Sequence, residues 1–202
     1  LAQGDFVIGG GYICWWLTQM GVPALIGVPV AFILMAGIGW IIYILMIRPI
    51  LDRDLFTTLL ATFGLAIIMA QLLNLLFGSD TQSVDLGYDT LYFLDGFIDV
   101  PIAKLLGVLM AGALALGVIL FMKFSRMGQA IRATAQDARA ARVLGINTDK
   151  VYAFTWSLNA AICGAAGAII VMVWVIQPFY GITHSVRAFV IVTAAGLGNL
   201  PG

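Results

Sequence analysis

Ala24–Ile47, ALIGVPVAFILMAGIGWIIYILMI, runs for 24 residues without a charge. As an α-helix rising about 1.5 Å per residue, it is long enough to cross a hydrocarbon core of about 30 Å. Three more charge-free runs meet or approach that length: Leu55–Phe77, Leu105–Met122 and Val151–Ile176. Two shorter ones flank them. Phe6–Met20 begins beside Asp5, and Ala188–Gly202 contains Gly196, Gly198 and Pro201. The pattern predicts an all-α, polytopic membrane protein with about six membrane-embedded segments. The chain starts at Leu1 rather than Met and stops inside an apolar run. Residues 1–202 are therefore expected to be a single transmembrane domain, truncated at both ends.

Composition agrees. Hydrophobic residues make up 62% of the chain and charged residues 10%, with a mean hydropathy of +1.05. A soluble domain carries about a quarter charged residues, so the excess apolar surface must face lipid. Net charge is zero, which excludes the basic footprint of a nucleic-acid-binding protein. Cys14 and Cys163 lie in apolar runs without metal or redox spacing and read as small membrane-buried hydrophobes.

The charges are few but segregated. Residues 123–150, KFSRMGQAIRATAQDARAARVLGINTDK, hold six of the ten Lys and Arg residues and show Ala-rich helical patterning. Residues 48–54 add Arg48 and Arg53, whereas 78–104 carry five aspartates and no cation before Lys104. Lys and Arg concentrate on the cytoplasmic side of membrane proteins. Segments 48–54 and 123–150 are thus expected to face inward and 78–103 outward, which agrees with the parity of the four full spans. Trp40, Tyr43, Tyr92, Phe93, Tyr152, Trp156, Trp174 and Tyr180 mostly fall near span ends, as an interfacial aromatic belt would.

Within the spans the polar groups are neutral: Thr57, Thr58, Thr62, Gln71, Asn74, Thr155, Ser157 and Asn159. Each suits a polar path or a bond to a neighbouring backbone. No full span has a charge at its centre, which argues against a proton-driven carrier or a voltage sensor. Ala160, Gly164 and Ala168, with Ala161 and Ala165, repeat every four residues and predict close helix packing. His184 is the only histidine and reads as a loop residue in the turn 177–186. Gly9-Gly10-Gly11 and the run from Gly196 to Gly202 permit helices to break within the bilayer, where half-helix ends present amides to an anionic ligand. A plain loop fits the second run equally well. The candidate substrate path is Gly9, Gly10, Thr62, Gln71, Asn159, Gly196 and Gly198.

Gly128-x-x-x-Arg132-Ala133, then Asp137-x-x-Ala140-Ala141-x-x-Leu144-Gly145-Ile146-Asn147, precede a helix with Ala160-Ala161 and Gly164-x-x-Gly167. This order resembles the branched-chain amino-acid ABC permeases, most closely the LivH-type subunit. Ala2-x-Gly4-Asp5 looks like that family's Asn-Phe-Ala-His-Gly-Glu segment, with Gln3 and Asp5 where His and Glu are frequent. Gly196-x-Gly198-Asn199-x-Pro201-Gly202 looks like its Gly-x-Gly-Ser-x-Pro-Gly turn.

The resemblance implies a permease subunit of a bacterial ABC importer in the inner membrane. Its implied partners are two ABC ATPases, a second, related permease subunit and a periplasmic substrate-binding protein. The chain would bind no cofactor itself, since ATP and Mg²⁺ act in the ATPases, and no Walker motif occurs here. By the same likeness 123–150 is a cytoplasmic coupling loop, with Gly128, Arg132, Ala133, Asp137, Ala140, Ala141, Gly145 and Ile146 as its docking residues. Asp137 is expected to pair with a partner's cation or with Arg132 or Arg139. The family branch also includes permeases for urea and short amides. A stand-alone carrier or channel is the other class considered. A membrane enzyme ranks last, because the chain has no Glu and one His.

Overall fold

The computed structural model describes residues 2–50, 55–84, 90–93 and 98–195. Its elements are α1 (Gln3–Gln19), α2 (Ala24–Ile42), α3 (Leu55–Phe77), β1 (Thr90–Phe93), β2 (Ile98–Pro101), α4 (Ile102–Phe124), α5 (Arg126–Gln136), α6 (Ala138–Val143), α7 (Thr148–Val173) and α8 (Gly181–Ala195). A π turn and a 3-10 turn extend α2 to Ile50. Four helices among the described residues are long and apolar enough to cross a bilayer: Ala24–Ile50, Leu60–Phe77, Ile102–Phe124 and Thr148–Val173. They correspond to the four full runs of the sequence. The shorter α1 and α8 have 17 and 15 residues. The architecture is all-α and polytopic; β1 and β2 form a small antiparallel ladder between α3 and α4.

Helix α7 is the centre of the bundle. Ala160, Ala165 and Ala168 have no exposed surface, and Ala161 is 1% exposed. The small-residue repeat lets α1 and α2 lie against α7 at backbone distance. A Cβ on Gly10 would collide with the backbone of Gly164, and one on Gly167 with the carbonyl of Val7. Lipid offers no hydrophobic drive between helices, so this close contact supplies the attraction. Ser157 Oγ donates to the Ala36 carbonyl at 2.7 Å and ties α7 to α2. Thr155 Oγ1 donates to Val151 O at 2.7 Å within its own helix. Both hydroxyls are satisfied structurally.

The two ends of the bundle differ in chemistry. At one, Arg48, Arg142, Thr148 and Asp149 surround a single polar cavity, so both basic segments lie together. Tyr43 is buried there, and its hydroxyl donates to Asp149 O at 3.4 Å. At the other, the segment after α3 pairs with the segment after α7. Gln82 and Ile176 exchange backbone bonds of 2.9 and 2.7 Å, and Val84 N donates to Val171 O at 3.0 Å. Tyr12 stacks on Phe77 with centroids 4.7 Å apart, joining α1 to the end of α3.

Two expectations are corrected. The stretch 177–186 is mostly helix, because Pro178–Tyr180 makes a 3-10 turn and α8 then starts at Gly181. His184 is therefore a half-buried helical residue, not a loop residue. The last embedded segment thus begins at Gly181 rather than Ala188; its polar Thr183, His184 and Arg187 interrupt the apolar run without breaking the helix. Trp156, the ninth residue of α7, is partly buried against the cluster that contains Met35.

Candidate functional site

The centre of the bundle and the basic end hold the candidate site residues. Gly10 packs on Gly164 and Gly11 approaches Gly167, so α1 runs parallel to α7. Counting back from Gly10 sets Asp5 level with Asn159, close to the midpoint of α7. Helix α8 begins at the same level. A Cβ on Gly181 would strike Asp5 Oδ1, and Gly4 N donates to Ser185 Oγ at 2.9 Å. The residues after Val173 therefore turn back along the bundle before α8 starts. Ile176 lies beside Gly11 and Gly181 beside Asp5, so 174–180 make that return. The break expected at Gly9-Gly10-Gly11 is corrected, because α1 runs unbroken from Gln3 to Gln19 with those glycines in helix contacts; the helix that starts level with the middle of α7 is α8, at Gly181. Gly196 and Gly198, on which the second expected break rested, lie outside the described residues.

Two cavities open at this level. One, of about 270 Å³, is lined by Gln3, Phe6, Thr62, Thr155, Trp156 and Asn159. It brings together Thr62 and Asn159, two of the residues chosen from the sequence. The other, of about 420 Å³, lies between α1, α3 and α8 and is lined by Asp5, Gln71, Ser185 and apolar side chains including Phe63, Ile67 and Phe179. Gln71 is the third chosen residue that lines a cavity. Gly9 and Gly10 line neither of these two; both are buried in helix contacts, Gly9 against Met35 and Gly10 against Gly164.

Asp5 was not chosen from the sequence as a site residue. It is 2% exposed, the only charged side chain in the buried class among the described residues. Its Oδ2 has no hydrogen-bond partner there. Its place at the edge of an apolar run made it look like a boundary residue; only the register of α1 against α7 shows that it is central.

At the basic end, α4 breaks at Ser125 and the chain folds back as α5. Ser125 Oγ accepts from Gly128 N at 2.8 Å, an N-cap. A Cβ on Gly128 would lie 2.6 Å from Met122 O, so glycine permits the close turn. Arg132 donates to the same carbonyl, satisfying the C-terminus of α4. Ala133 is half-buried on α5. Asp137 separates α5 from α6. Its Oδ1 accepts from Arg139 N at 2.8 Å and Ala140 N at 3.0 Å. Of the pairings expected for Asp137, those with the side chains of Arg132 or Arg139 are corrected: two backbone amides at the start of α6 take its Oδ1 and need a cap.

Helix α6 has six residues and is closed at both ends. Gly145 has φ +85°, its N donates to Arg142 O at 3.0 Å, and Ile146 N donates to Ala141 O at 3.0 Å. These two bonds are the Schellman pattern, and Gly145 supplies its left-handed cap. Arg142 Nε donates to Thr148 Oγ1 at 2.8 Å and fixes α6 to the start of α7. Asn147 caps α7 by accepting from Lys150 N at 3.1 Å.

Ala140 is exposed, but Ala141 is 2% exposed. The small side chain of Ala141 thus serves packing within this chain rather than the seating of a partner. Ile146 is half-buried. Val143 and Leu144, exposed by 88% and 80%, form the outer tip of the segment. Neither was chosen from the sequence as a site residue. The available signal was two adjacent aliphatics within the most polar stretch of the chain.

The whole chain, residues 1–202, matches the family described as "Branched-chain amino acid transport system / permease component". It is 28% identical to the high-affinity branched-chain amino acid transport system permease protein LivH of Escherichia coli K12, covering all of this chain and 70% of that protein. It is 27% identical to LivH of Salmonella typhimurium, again over the full chain and 70% of the relative. It is also 27% identical to a probable LivH of Methanocaldococcus jannaschii, over the full chain and 65% of that protein. No solved structure matches. The chain belongs to the branched-chain amino acid transport permease family.

Proposed function

We propose that this member of the branched-chain amino acid permease family is a membrane subunit of an ATP-driven bacterial importer. It sits in the inner membrane with its basic end in the cytoplasm. Two ABC ATPases dock there and hydrolyse ATP with Mg²⁺; the chain itself binds no cofactor and catalyses no reaction. A second, related permease subunit completes the path, and a periplasmic binding protein delivers substrate to the opposite end. Branched-chain or similar small amino acids are the cargo.

One observation carries the energy-coupling part of this reading: Val143 and Leu144 stand exposed on a short helix held rigid at both ends. Aliphatic side chains on a polar, charged segment outside the spans do not face lipid. A protein groove that covers them removes apolar surface from water. Capping by Asp137 and Gly145, with Arg142 on Thr148, makes α6 a stiff lever joined directly to α7. Movement of an attached ATPase would then be carried into α7 and the helices packed on it. Docking residues in this reading are Ala140, Val143 and Leu144, with Gly128, Arg132, Ala133, Asp137, Ala141, Gly145 and Ile146 shaping the segment that presents them.

The test is copurification of the full-length permease with its ATPase. Leu144→Asp removes the apolar tip at an exposed position, so folding should be unaffected. Losing the burial of one leucine, about 1.5–3 kcal/mol, lowers ATPase affinity by roughly ten- to hundredfold. Wild-type affinity and normal ATP-dependent uptake in that variant would overturn the docking assignment.

A further inference from the structure

The cavity between α1, α3 and α8 combines two properties that seldom occur together. Its walls are mainly hydrocarbon, with Phe63, Ile67, Ala70, Phe179 and Ile182 among them, and yet it includes a buried carboxylate, Asp5. At about 420 Å³ it falls in the range of about 300–1,000 Å³ usual for small-molecule sites. Isolated burial of an ionised carboxylate costs several kcal/mol unless a positive partner offsets it. Gly181, at the start of α8, supplies part of that through the N-terminal end of its helix. Oδ2 is left without a partner among the described residues. Among the described residues, no Lys or Arg lines this cavity.

The ligand complementary to such a site has a cation at one end and a compact hydrocarbon body at the other. We propose that Asp5 determines the charge class of the cargo: it receives the ammonium group of an α-amino acid whose aliphatic side chain occupies the apolar part of the cavity. Gln71 is the amide donor on the same wall and suits the amino acid's carboxylate. Urea and short amides carry no cation and leave the carboxylate uncompensated. The inference rests on the permease reading above and narrows its substrate class. It also ties selection to α8, because a ligand held at Asp5 lies where α8 begins, beside Gly181 and Ser185.

The experiment uses the complete transporter in liposomes, with its ATPases and binding protein, and the detergent-purified full-length permease. Uptake of leucine and of urea is measured first. Binding to the purified permease is then compared for leucine, for isoamylamine, which lacks the carboxylate, and for 4-methylpentanoate, which lacks the ammonium group. Wild type should take up leucine and bind leucine and isoamylamine but not 4-methylpentanoate. Asp5→Asn should weaken leucine and isoamylamine binding by roughly ten- to hundredfold, as expected for loss of a hydrogen bond to a charged group. Asp5→Glu, which keeps the charge, should retain part of that binding. Ala70→Phe fills the apolar part and should weaken leucine binding with no change in elution profile.

The two readings fail separately. Absence of any ATP-dependent uptake by wild type sinks the permease reading. Uptake of urea in place of leucine leaves it standing and sinks the role of Asp5. So does wild-type binding of 4-methylpentanoate equal to that of leucine, or failure of all three ligands to bind. Should Asp5→Asn fail to fold, leucine binding by Ala70→Phe equal to wild type decides against the proposal.

Discussion

Helices α4 and α7 are both of spanning length, 23 and 26 residues, yet they meet opposite surroundings. Half of the apolar stretch of α7 is buried inside the chain, against 6% for α4. Hydropathy alone would have ranked them the other way, since α4 is the more apolar, 2.6 against 1.8. Side-chain size decides instead. From Ala160 to Ala168 the buried residues of α7 are all alanine or glycine, which bring α1 and α2 to backbone contact. α4 presents Leu105, Val108, Leu109, Leu116, Ile119 and Leu120 outward, and Gly107 is its buried residue, facing Ile169 and Val173 of α7. In a bilayer, large aliphatics are as content in lipid as in protein, so small residues mark the protein side.

The strongest way to break this contrast is to put bulk on the small face. Gly164→Leu must displace Met35 and the carbonyl of Ala31, and Gly167→Leu must displace the backbone of Val7. Backbone in a packed helix pair has nowhere to go. Each substitution should cost more than about 4 kcal/mol, the range of severe overpacking. The expected result is loss of monodisperse protein from membranes, and of its thermal unfolding transition. A normal transition in Gly167→Leu would show that α1 does not sit on α7 at this distance.

A second, milder prediction turns from the spans to the linker. Asp137→Ala removes the cap that accepts from Arg139 N and Ala140 N. It should cost about 1 kcal/mol and leave the α1–α2–α7 contacts untouched. Hydrogen exchange should then speed up in α6 while α7 stays protected. Asp137→Asn or Asp137→Ser, which also cap, should behave close to wild type. Equal exchange in Asp137→Ala and wild type would mean that α6 is held by Arg142 and the Schellman turn alone.

Much of this organisation was legible in the chain. Charge-free runs of spanning length located α2, α3, α4 and α7, and the four-residue repeat from Ala160 to Ala168 named the face at the centre of the bundle. Gly145 was readable as a left-handed cap because the sequence around it already ends a helix. What stayed hidden was register. Nothing in LAQGDFV says that Asp5 lies level with Asn159, because that depends on how far α1 slides along α7. The start of α8 was hidden for a related reason: Pro178 and Gly181 look like turn residues, and they are equally good first residues of a helix. Asp137 was read as pairing with a partner's cation or with Arg132 or Arg139, although an acidic residue directly before a short helix fits a cap just as well. Thr62, Gln71 and Asn159 were found because neutral polar groups in lipid are few; only the tertiary fold could distribute them between two cavities.

The smallest effect belongs to α4 and completes the contrast. A Cβ on Gly112 or Gly117 would meet nothing within 4 Å, and both residues are exposed. Gly117→Leu therefore adds a side chain to open space and removes a helix-interior glycine, a change worth up to about 1 kcal/mol in favour of the helix. Unfolding should shift by less than that, and upward. The comparison becomes sharper if stability and assembly are read separately in the same variant. Unchanged stability together with unchanged complex yield marks the Gly117 stripe as lipid-facing. Unchanged stability with lost complex makes the stripe a seat for a second permease subunit, one that needs the glycine for its own close approach. A large loss of stability in the isolated chain would contradict the open surface of α4 and, with it, the rule that side-chain size sorts these helices into inner and outer.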